Sequence, residues 1–518
     1  MYAPTRRTCY TCPVSARFSG PIRGLPSVFP FLVFLLATLY IPRDPDLGWH
    51  LAYGRHFVQH HRILDTNIHS TTMPGYHWLS TSWLLDPLTY ALFQRWGFVG
   101  LSMLGAVVST GVFYVMSRAL KLDLIENVIA MLFLYAYLSP ALETSIKGHT
   151  VSLLLLSIQF LIMKRYEEGH EKALLFLIPL FVIWPNLHTQ YFLGLALMIG
   201  WFGLHGAGNI ASQGAIPKSR ADLARMLGRI RADTKSPDAL YVIGVIALAI
   251  LATFLNPRGV GIFGEIGRHF DNPSLGAIVE WRPFESGSAL WWQFLALDVF
   301  ILAICAWLLC TRELIKSLSW MGITLVSMMA TWGSRRYAWS GVIAAGYFML
   351  PLIRRLNLAR HQAAKAMAII VLAASFVWVM DVKLPREDIW RMDWQRFCRE
   401  TIECSDASAK FILDNGLAAN LWTYYGYGGW LIWNYPGIKP SMDGRMPSWV
   451  DEHGYSAFSQ YYYQEQGITD IDKSPHDAVY TLVSKPVYRR LSALAQEKKW
   501  TRVYEDHVAA IFIRNKGS

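Results

Sequence analysis

From Leu25 to Asp381 the chain is a succession of apolar runs, each near the length that crosses a hydrocarbon core of ~30 Å and each parted from the next by a charged or polar stretch. In lipid such a run satisfies its backbone as a helix, so the pattern confines this region to a polytopic helical bundle. The candidate spans are 25–42, 98–116, 124–142, 149–163, 173–185, 191–207, 239–255, 291–310, 318–332, 338–353 and 366–381, which makes about eleven. The pair at 173–185 and 191–207 is short and joined only by Asn186 to Gln190. From Val382 onward the runs stop. The whole chain is 53% hydrophobic and 16% charged, too apolar for an ordinary soluble enzyme of 518 residues. The first run, Leu25 to Ile41, comes late and lacks a small-residue cleavage site, so it reads as a retained helix and not as a signal peptide.

A net charge of +11 would suit a nucleic-acid partner if the basic residues covered one soluble face. They cluster instead in alternate short loops, which argues against nucleic acid. Arg6, Arg7, Arg17 and Arg23 precede the first run; later clusters are Arg118 with Lys121, Lys164 with Arg165 and Lys172, Lys218 through Lys235, Arg312 with Lys316, and Arg354, Arg355 and Arg360. Those loops are expected on the cytoplasmic side. The intervening loops are poorer in Lys and Arg and carry Asp44, Asp46, Asp65, Asp86, Glu143, Glu265, Asp271 and Glu280, so they are expected outside. The organisation expected is a cytoplasmic segment 1–24, a transmembrane domain 25–382 with an outer loop 43–97, and an extracytoplasmic domain 383–518, in a multi-pass protein of the cell membrane. The stretch Thr81 to Trp96 is amphipathic and is expected to lie as a helix at the outer surface. The basic loop from Gly208 to Pro237 reads as an anchor on anionic lipid.

The C-terminal region has the pattern of a small α/β unit: a helix over Ala407 to Asn415, a strand over Ala478 to Ser484, a helix over Pro486 to Lys499 and a hairpin over Arg502 to Arg514. Tyr424 to Trp433 mixes glycine with aromatics, which suits close packing or a sugar-facing surface. Cys398 and Cys404 lie here, where an oxidising compartment permits a disulfide, and a loop is expected to bring them together. Cys9 and Cys12 form a CxxC without a second pair, and Cys305 and Cys310 read as helix packing residues.

The stretch after the first run, Asp44-Pro45-Asp46-Leu47-Gly48-Trp49-His50, then Gly54-Arg55, sets two carboxylates one residue apart at the membrane edge. Charges there are usually functional or paired. One aspartate suits the cap of a helix beginning near Leu47, which leaves the other unexplained. Further polar groups recur where outer helix ends are expected: Lys147 and His149, Asn186 and His188, Asn256 with Arg258, Glu280 with Trp281, and Arg335 with Arg336. Taken singly, a histidine of this kind packs and paired arginines snorkel to headgroups. Taken together on one side, they suit a substrate with a phosphate headgroup and a lipid tail. Arginine and lysine would hold the phosphate, and a carboxylate would take a proton from an attacking hydroxyl.

The run Asp44 to Arg55, with Trp78 and Trp83-Leu84, resembles the first outer loop of GT-C superfamily membrane glycosyltransferases, in particular bacterial relatives of the dolichyl-phosphate-mannose protein mannosyltransferases. Trp184-Pro185-Asn186-Leu187-His188, Leu255-Asn256-Pro257-Arg258-Gly259, Glu280-Trp281 and Arg335-Arg336 resemble that group's later outer-loop motifs. Tyr427 to Trp433 and Met442-Asp443-Gly444-Arg445 resemble its appended domain. The resemblance implies a mainly α fold, a GT-C-like transmembrane bundle with a small C-terminal α/β domain. It implies transfer of a sugar from a polyprenyl-phosphate donor to a glycan, lipid or protein acceptor at the outer face. It points to Asp44 and Asp46 as catalytic, with His50, Arg55, Lys147, His149, Asn186, His188, Arg258, Glu280, Arg335 and Arg336 around the substrate. Relatives often carry an acidic residue where this chain has Ser82, which leaves Asp86 or Glu143 as substitutes; they often carry arginine near Lys147 and His149. No cofactor is expected, and Asp44-Pro45-Asp46 is not a recognised metal chelate. The competing readings are a non-catalytic scaffold and a transporter or flippase of lipid-linked saccharides; scarce mid-helix charges and the lack of paired inverted halves weigh against the transporter.

Overall fold

A computed structural model of the chain describes residues 25–212, 237–270, 273–311 and 313–515. Arg6, Arg7, Arg17, Arg23, Cys9, Cys12, the basic residues from Lys218 to Lys235, Asp271, Arg312 and the side chain of Lys316 lie outside the described residues. The chain is mainly helical. Its helices are α1 (Leu25–Ala37), α2 (Leu47–His60), α3 (Leu85–Leu120), α4 (Leu124–Leu142), α5 (Gly148–Glu167), α6 (Leu177–Leu187), α7 (Tyr191–Ser212), α8 (Pro237–Ala252), α9 (Gly261–Phe270), α10 (Ala289–Cys310), α11 (Leu318–Gly333), α12 (Arg335–Ile353) and α13 (Gln362–Trp378). Each expected span falls on a helix. By length and composition, 5 stretches among the described residues suffice to cross a membrane: α3, α4, Tyr191–Asn209, α10, and α13 with the wider helical turns that carry it to Arg391.

Local chemistry explains several helix starts. Asp123 and Glu126 form a reciprocal capping box at α4, and Ser288 and Ser334 accept from backbone N–H groups at the starts of α10 and α12. Inside α3, Gly97 adopts φ 57°, ψ −145°, a backbone open to glycine because it has no Cβ. The expected amphipathic helix over Thr81 to Trp96 is therefore the first arm of a kinked element that starts at Leu85, and the span 98–116 is its second arm. No expected element covers α9, whose Ile262 and Glu265 are buried.

The C-terminal region holds a four-stranded sheet in the order β1 (Leu421–Thr423), β2 (Ala478–Leu482), β4 (Ala509–Arg514), β3 (Trp500–Glu505). β1 pairs parallel to β2, with Leu421 opposite Ala478; the other pairings are antiparallel, with Tyr480 opposite Ile511. Helices α14 (Asp406–Asp414), α15 (Gly428–Asn434), α16 (Ala457–Glu465) and α17 (Pro486–Gln496) accompany it. Cys398 and Cys404 are bridged with Cα atoms 4.9 Å apart. What joins them is a π-helical turn, Cys398–Ile402, ended by Glu403 at φ 53°, and not the loop expected. Cys305 packs half-buried, whereas Cys310 is exposed at the end of α10 and so does not pack.

One hydrophobic core runs through both regions, from Phe34, Leu101, Phe160 and Tyr347 of the bundle to Trp430, Leu431 and Tyr480. The seam is tight. A Cβ on Gly48 of α2 would overlap the carbonyl of Gly429 in α15, and one on Gly429 would stand 2.3 Å from the Pro45 carbonyl oxygen. The Tyr424 to Trp433 stretch is thus chiefly a packing element: Tyr427, Trp430, Leu431 and Ile432 are buried.

Candidate functional site

Where α2 begins, Asp46 occupies the N-cap position, yet its side chain makes no capping bond. Asp44 instead accepts from the Asp46 backbone N–H at 3.1 Å, through Oδ1. The two aspartates are thereby separated in role: Asp44 is buried and structural at the turn, and Asp46 turns into a cavity of about 150 Å³. Gly444 abuts the Asp46 carboxylate so closely that any Cβ there would overlap it.

Lys147, His188, Glu280 and Arg336 line the same cavity with Asp46 and His50. Lys147 Nζ lies 3.2 Å from Asp44 and 3.3 Å from Glu280; Arg336 Nη1 lies 3.5 Å from the other Glu280 oxygen. Carboxylates and cations thus alternate along one wall. Burial, and then the adjacent Asp44, push the Asp46 carboxyl up to about 6, against the pull of Lys147 and His50. Lys147, with Arg336 in support and burial opposing, holds Glu280 down at about 2. Burial works against the Lys147 ammonium, but Asp44 and Glu280 outweigh it and raise its pKa.

His50 Nδ1 meets Asp86 Oδ1 at 2.6 Å, and Ser80 Oγ donates to the other Asp86 oxygen at 2.8 Å. Burial opposes protonation of His50; Asp86 outweighs it, and the pKa is raised. Asp86 therefore serves as the partner of His50, and Ser82, which replaces the expected acidic residue, lines the cavity. Glu143 is exposed and does not line the cavity. His188 shares a hydrogen bond of 2.9 Å with Ser152 through Nδ1; burial and then the Arg336 charge hold it well below the usual histidine value, as a neutral ring.

The remaining expected residues are placed elsewhere. Arg55 lies over the Trp433 ring at 4.8 Å. His149 Nε2 bonds the Ala141 carbonyl oxygen at 2.7 Å. Asn186 accepts from Trp83 Nε1 at 2.7 Å and donates to the Val182 and Leu255 carbonyls, tying two loops to the end of α6. Arg335 donates to the Pro283 carbonyl at 3.2 Å and faces Phe284. Arg258 stands behind the wall, paired with Glu265 at 2.8 Å, donating to the Leu79 carbonyl and facing Trp78. For all five the physical reason is the same: a polar head near an outer turn finds a backbone, carboxylate or ring partner before it reaches the cavity.

Several lining groups were missed. Glu265 accepts from Ser448 at 2.7 Å; Trp49, Trp78 and Tyr425 supply flat apolar faces beside the expected Trp281. Gly444, Arg445, Pro447 and Ser448 close the wall. Arg445 is fully buried: it makes two contacts with Asp443, at 2.7 and 2.6 Å, and donates to the Tyr53 hydroxyl at 2.9 Å and to Ser70 at 2.6 Å. The clue to this clamp in the sequence is the Asp443-Gly444-Arg445 triplet, which does not name its distant partners. Among the described residues no group of three or more His, Cys, Asp or Glu is placed to hold a metal.

A carboxylate with its pKa raised to about 6, two fixed cations and aromatic faces in one cavity can hold a phosphorylated ligand and exchange a proton with it. No family model and no curated protein matches the sequence. Solved structures do. The archaeal oligosaccharyltransferase AglB from Archaeoglobus fulgidus, in complex with an inhibitory peptide and a dolichol-phosphate, superposes with a TM-score of 0.53 at 12% identity, covering 96% of this chain and 75% of that one. The oligosaccharyltransferase of that organism tethered to an acceptor peptide with the NVT sequon gives a TM-score of 0.50 at 12% identity, over 95% and 74%. At such identity the likeness shows the fold alone: this chain has the fold of these archaeal oligosaccharyltransferases.

Proposed function

We propose that the chain transfers a sugar from a polyprenyl-phosphate donor to an acceptor at the outer face of the membrane. The observation that carries this is the joint presence of Asp46, Lys147, Glu280 and Arg336 on one cavity wall. The acceptor hydroxyl attacks the anomeric carbon, the bond from that carbon to the phosphate oxygen breaks, and polyprenyl phosphate leaves. Asp46 takes the hydroxyl proton. Lys147 and Arg336 pair with the phosphate and with the charge that grows on it as it departs. Glu280 holds the two cations in place, and Asp44 acts through Lys147 as a positioning residue. His50, hydrogen-bonded to Asp86, sits beside Asp46, and the tryptophan faces suit a sugar ring. The dolichol-phosphate held by AglB supports a lipid-phosphate donor.

In this reading the bundle crosses the membrane about eleven times, with segment 1–24 in the cytoplasm and residues 383–518 as an outer domain. The alternation of basic and acidic loops supports that topology, and so does the disulfide at Cys398. The test is loss of labelled sugar from a panel of polyprenyl-phosphate sugars by the protein in membranes, wild type against Asp46→Asn. Consumption of one donor, abolished in a variant that still folds, is the expected result. Undiminished transfer by Asp46→Asn would remove the base from the mechanism.

A further inference from the structure

Beyond the Met442 to Ser448 segment that closes the cavity, the C-terminal region carries two hollows of about 250 and 440 Å³. They share Tyr455, Gln460 and Gln464, so they form one groove across α16. Gln460 and Gln464 are four residues apart and present their amides on one helix face. Its floor is Trp422 stacked on Tyr461, with ring centroids 5.0 Å apart and planes inclined at 14°. Thr71 and Thr72 of the first outer loop form the opposite rim.

The chemistry of this groove differs from that of the cavity. No Lys, Arg, Asp or Glu lines the first hollow. The second is lined by one carboxylate, Asp470, already tied to Arg490 at 3.1 Å, and by one exposed cation, Lys473. His476 is held below the usual histidine value by burial, and so is neutral. An anionic ligand therefore finds no counter-charge in the first hollow and a single exposed lysine in the second. What the groove offers is planar amides, hydroxyls and flat rings, with hydrogen-bonding capacity unspent. Among the described residues the buried Thr71 hydroxyl has no partner, the Gln460 amide makes no hydrogen bond to protein, and Gln464 uses only its oxygen, accepting from Trp422 at 2.9 Å. Tyr455 and Tyr463 leave their rings exposed at the edge.

We infer that the groove binds a neutral saccharide chain. An amide carries a donor and an acceptor side by side and so matches two vicinal hydroxyls, while an aromatic face takes the C–H side of a sugar ring. A peptide would look for a free strand edge or apolar pockets, and side-chain amides and hydroxyls supply neither. The groove lies one layer from the cavity: Tyr461 accepts from the backbone N–H of Tyr425, which lines the cavity, at 3.0 Å. A saccharide seated here is the far, unreacting part of the acceptor. Only that last assignment rests on the transfer proposed above; binding itself does not.

The test uses the purified full-length protein on immobilised short linear gluco-, manno-, galacto- and chitooligosaccharides, with an uncharged peptide as competitor. Tyr455→Ala and Gln460→Ala alter exposed side chains, and Arg391→Ala, at an exposed side chain that lines neither hollow, serves as the control. The result expected is retention on at least one neutral glycan, weakened about tenfold by either groove variant and unchanged in the control. No retention by wild type, equal retention by the groove variants, or displacement by the peptide would overturn the inference. Glycan binding without consumption of any lipid-linked donor would leave the groove standing and sink the transfer reading alone.

Discussion

Asp46 sits where ionisation is disfavoured, and this sets a pH dependence of definite sign. Its carboxyl, raised to about 6 in the fold, titrates near ~4 in an unfolded chain. Between those values the folded chain binds the proton more readily, so this residue's contribution to stability is present at low pH and is lost as pH rises through about 6. Asp46→Asn is therefore expected to raise the thermal midpoint at pH 7.5 more than at pH 4, while transfer falls by about 10². In the wild type, kcat/KM should climb as pH rises through about 6; a flat profile there would argue that another group takes the proton. Lys147 is the opposite case, a cation between Asp44 and Glu280. Lys147→Met leaves Asp44 buried without its partner and is expected to lower stability by about 3–5 kcal/mol. Lys147→Arg should recover most of that but raise the donor KM, because a fork cannot sit where a point charge did. The sequence revealed both aspartates and the cations but not their division of labour. That depends on which carboxylate takes the backbone N–H of Asp46, a choice made by the turn at Pro45.

Helices and strands were far more legible than the contacts among them. Apolar runs marked α4, α10 and α12 because a helix set in lipid or in the centre of the bundle is apolar in composition, and Pro486 marked the start of α17. β1 escaped, being three residues in a fully buried, aromatic-rich stretch, and α9 escaped because its pattern is too short to stand out from a loop. Five of the twelve expected site residues, Arg55, His149, Asn186, Arg258 and Arg335, serve the scaffold, since motif spacing fixes the turn a residue occupies and not the direction of its head. The seam of α2 on α15 is the element-level feature most open to experiment. Gly48→Ala or Gly429→Ala must force the two helices apart, at an expected loss of about 1–3 kcal/mol. Transfer should fall with it, since Asp46 rides on that seam. Full activity in a Gly48→Ala protein of normal stability would show that the seam tolerates displacement.

At the scale of the molecule, the cavity belongs to neither region alone. Asp46, His50, Lys147 and Arg336 come from the bundle, and Tyr425, Gly444, Arg445 and Ser448 come from beyond it. The Arg445 clamp onto Asp443, Tyr53 and Ser70 joins them. Arg445→Ala strands Asp443 in a buried site and is expected to cost about 3–5 kcal/mol. Limited proteolysis should then cut the chain after the last membrane helix, where the wild type resists; unchanged resistance would mean the core alone holds the regions together. Arg445→Lys should not restore the clamp, because one ammonium cannot reproduce the paired contacts of a guanidinium. The clamp also orders events during synthesis. The first loop emerges hundreds of residues before its partners at 443–445, and until those have emerged Asp46 has half a wall around it. A nascent chain therefore lacks the complete cavity until residues 444–448 have emerged.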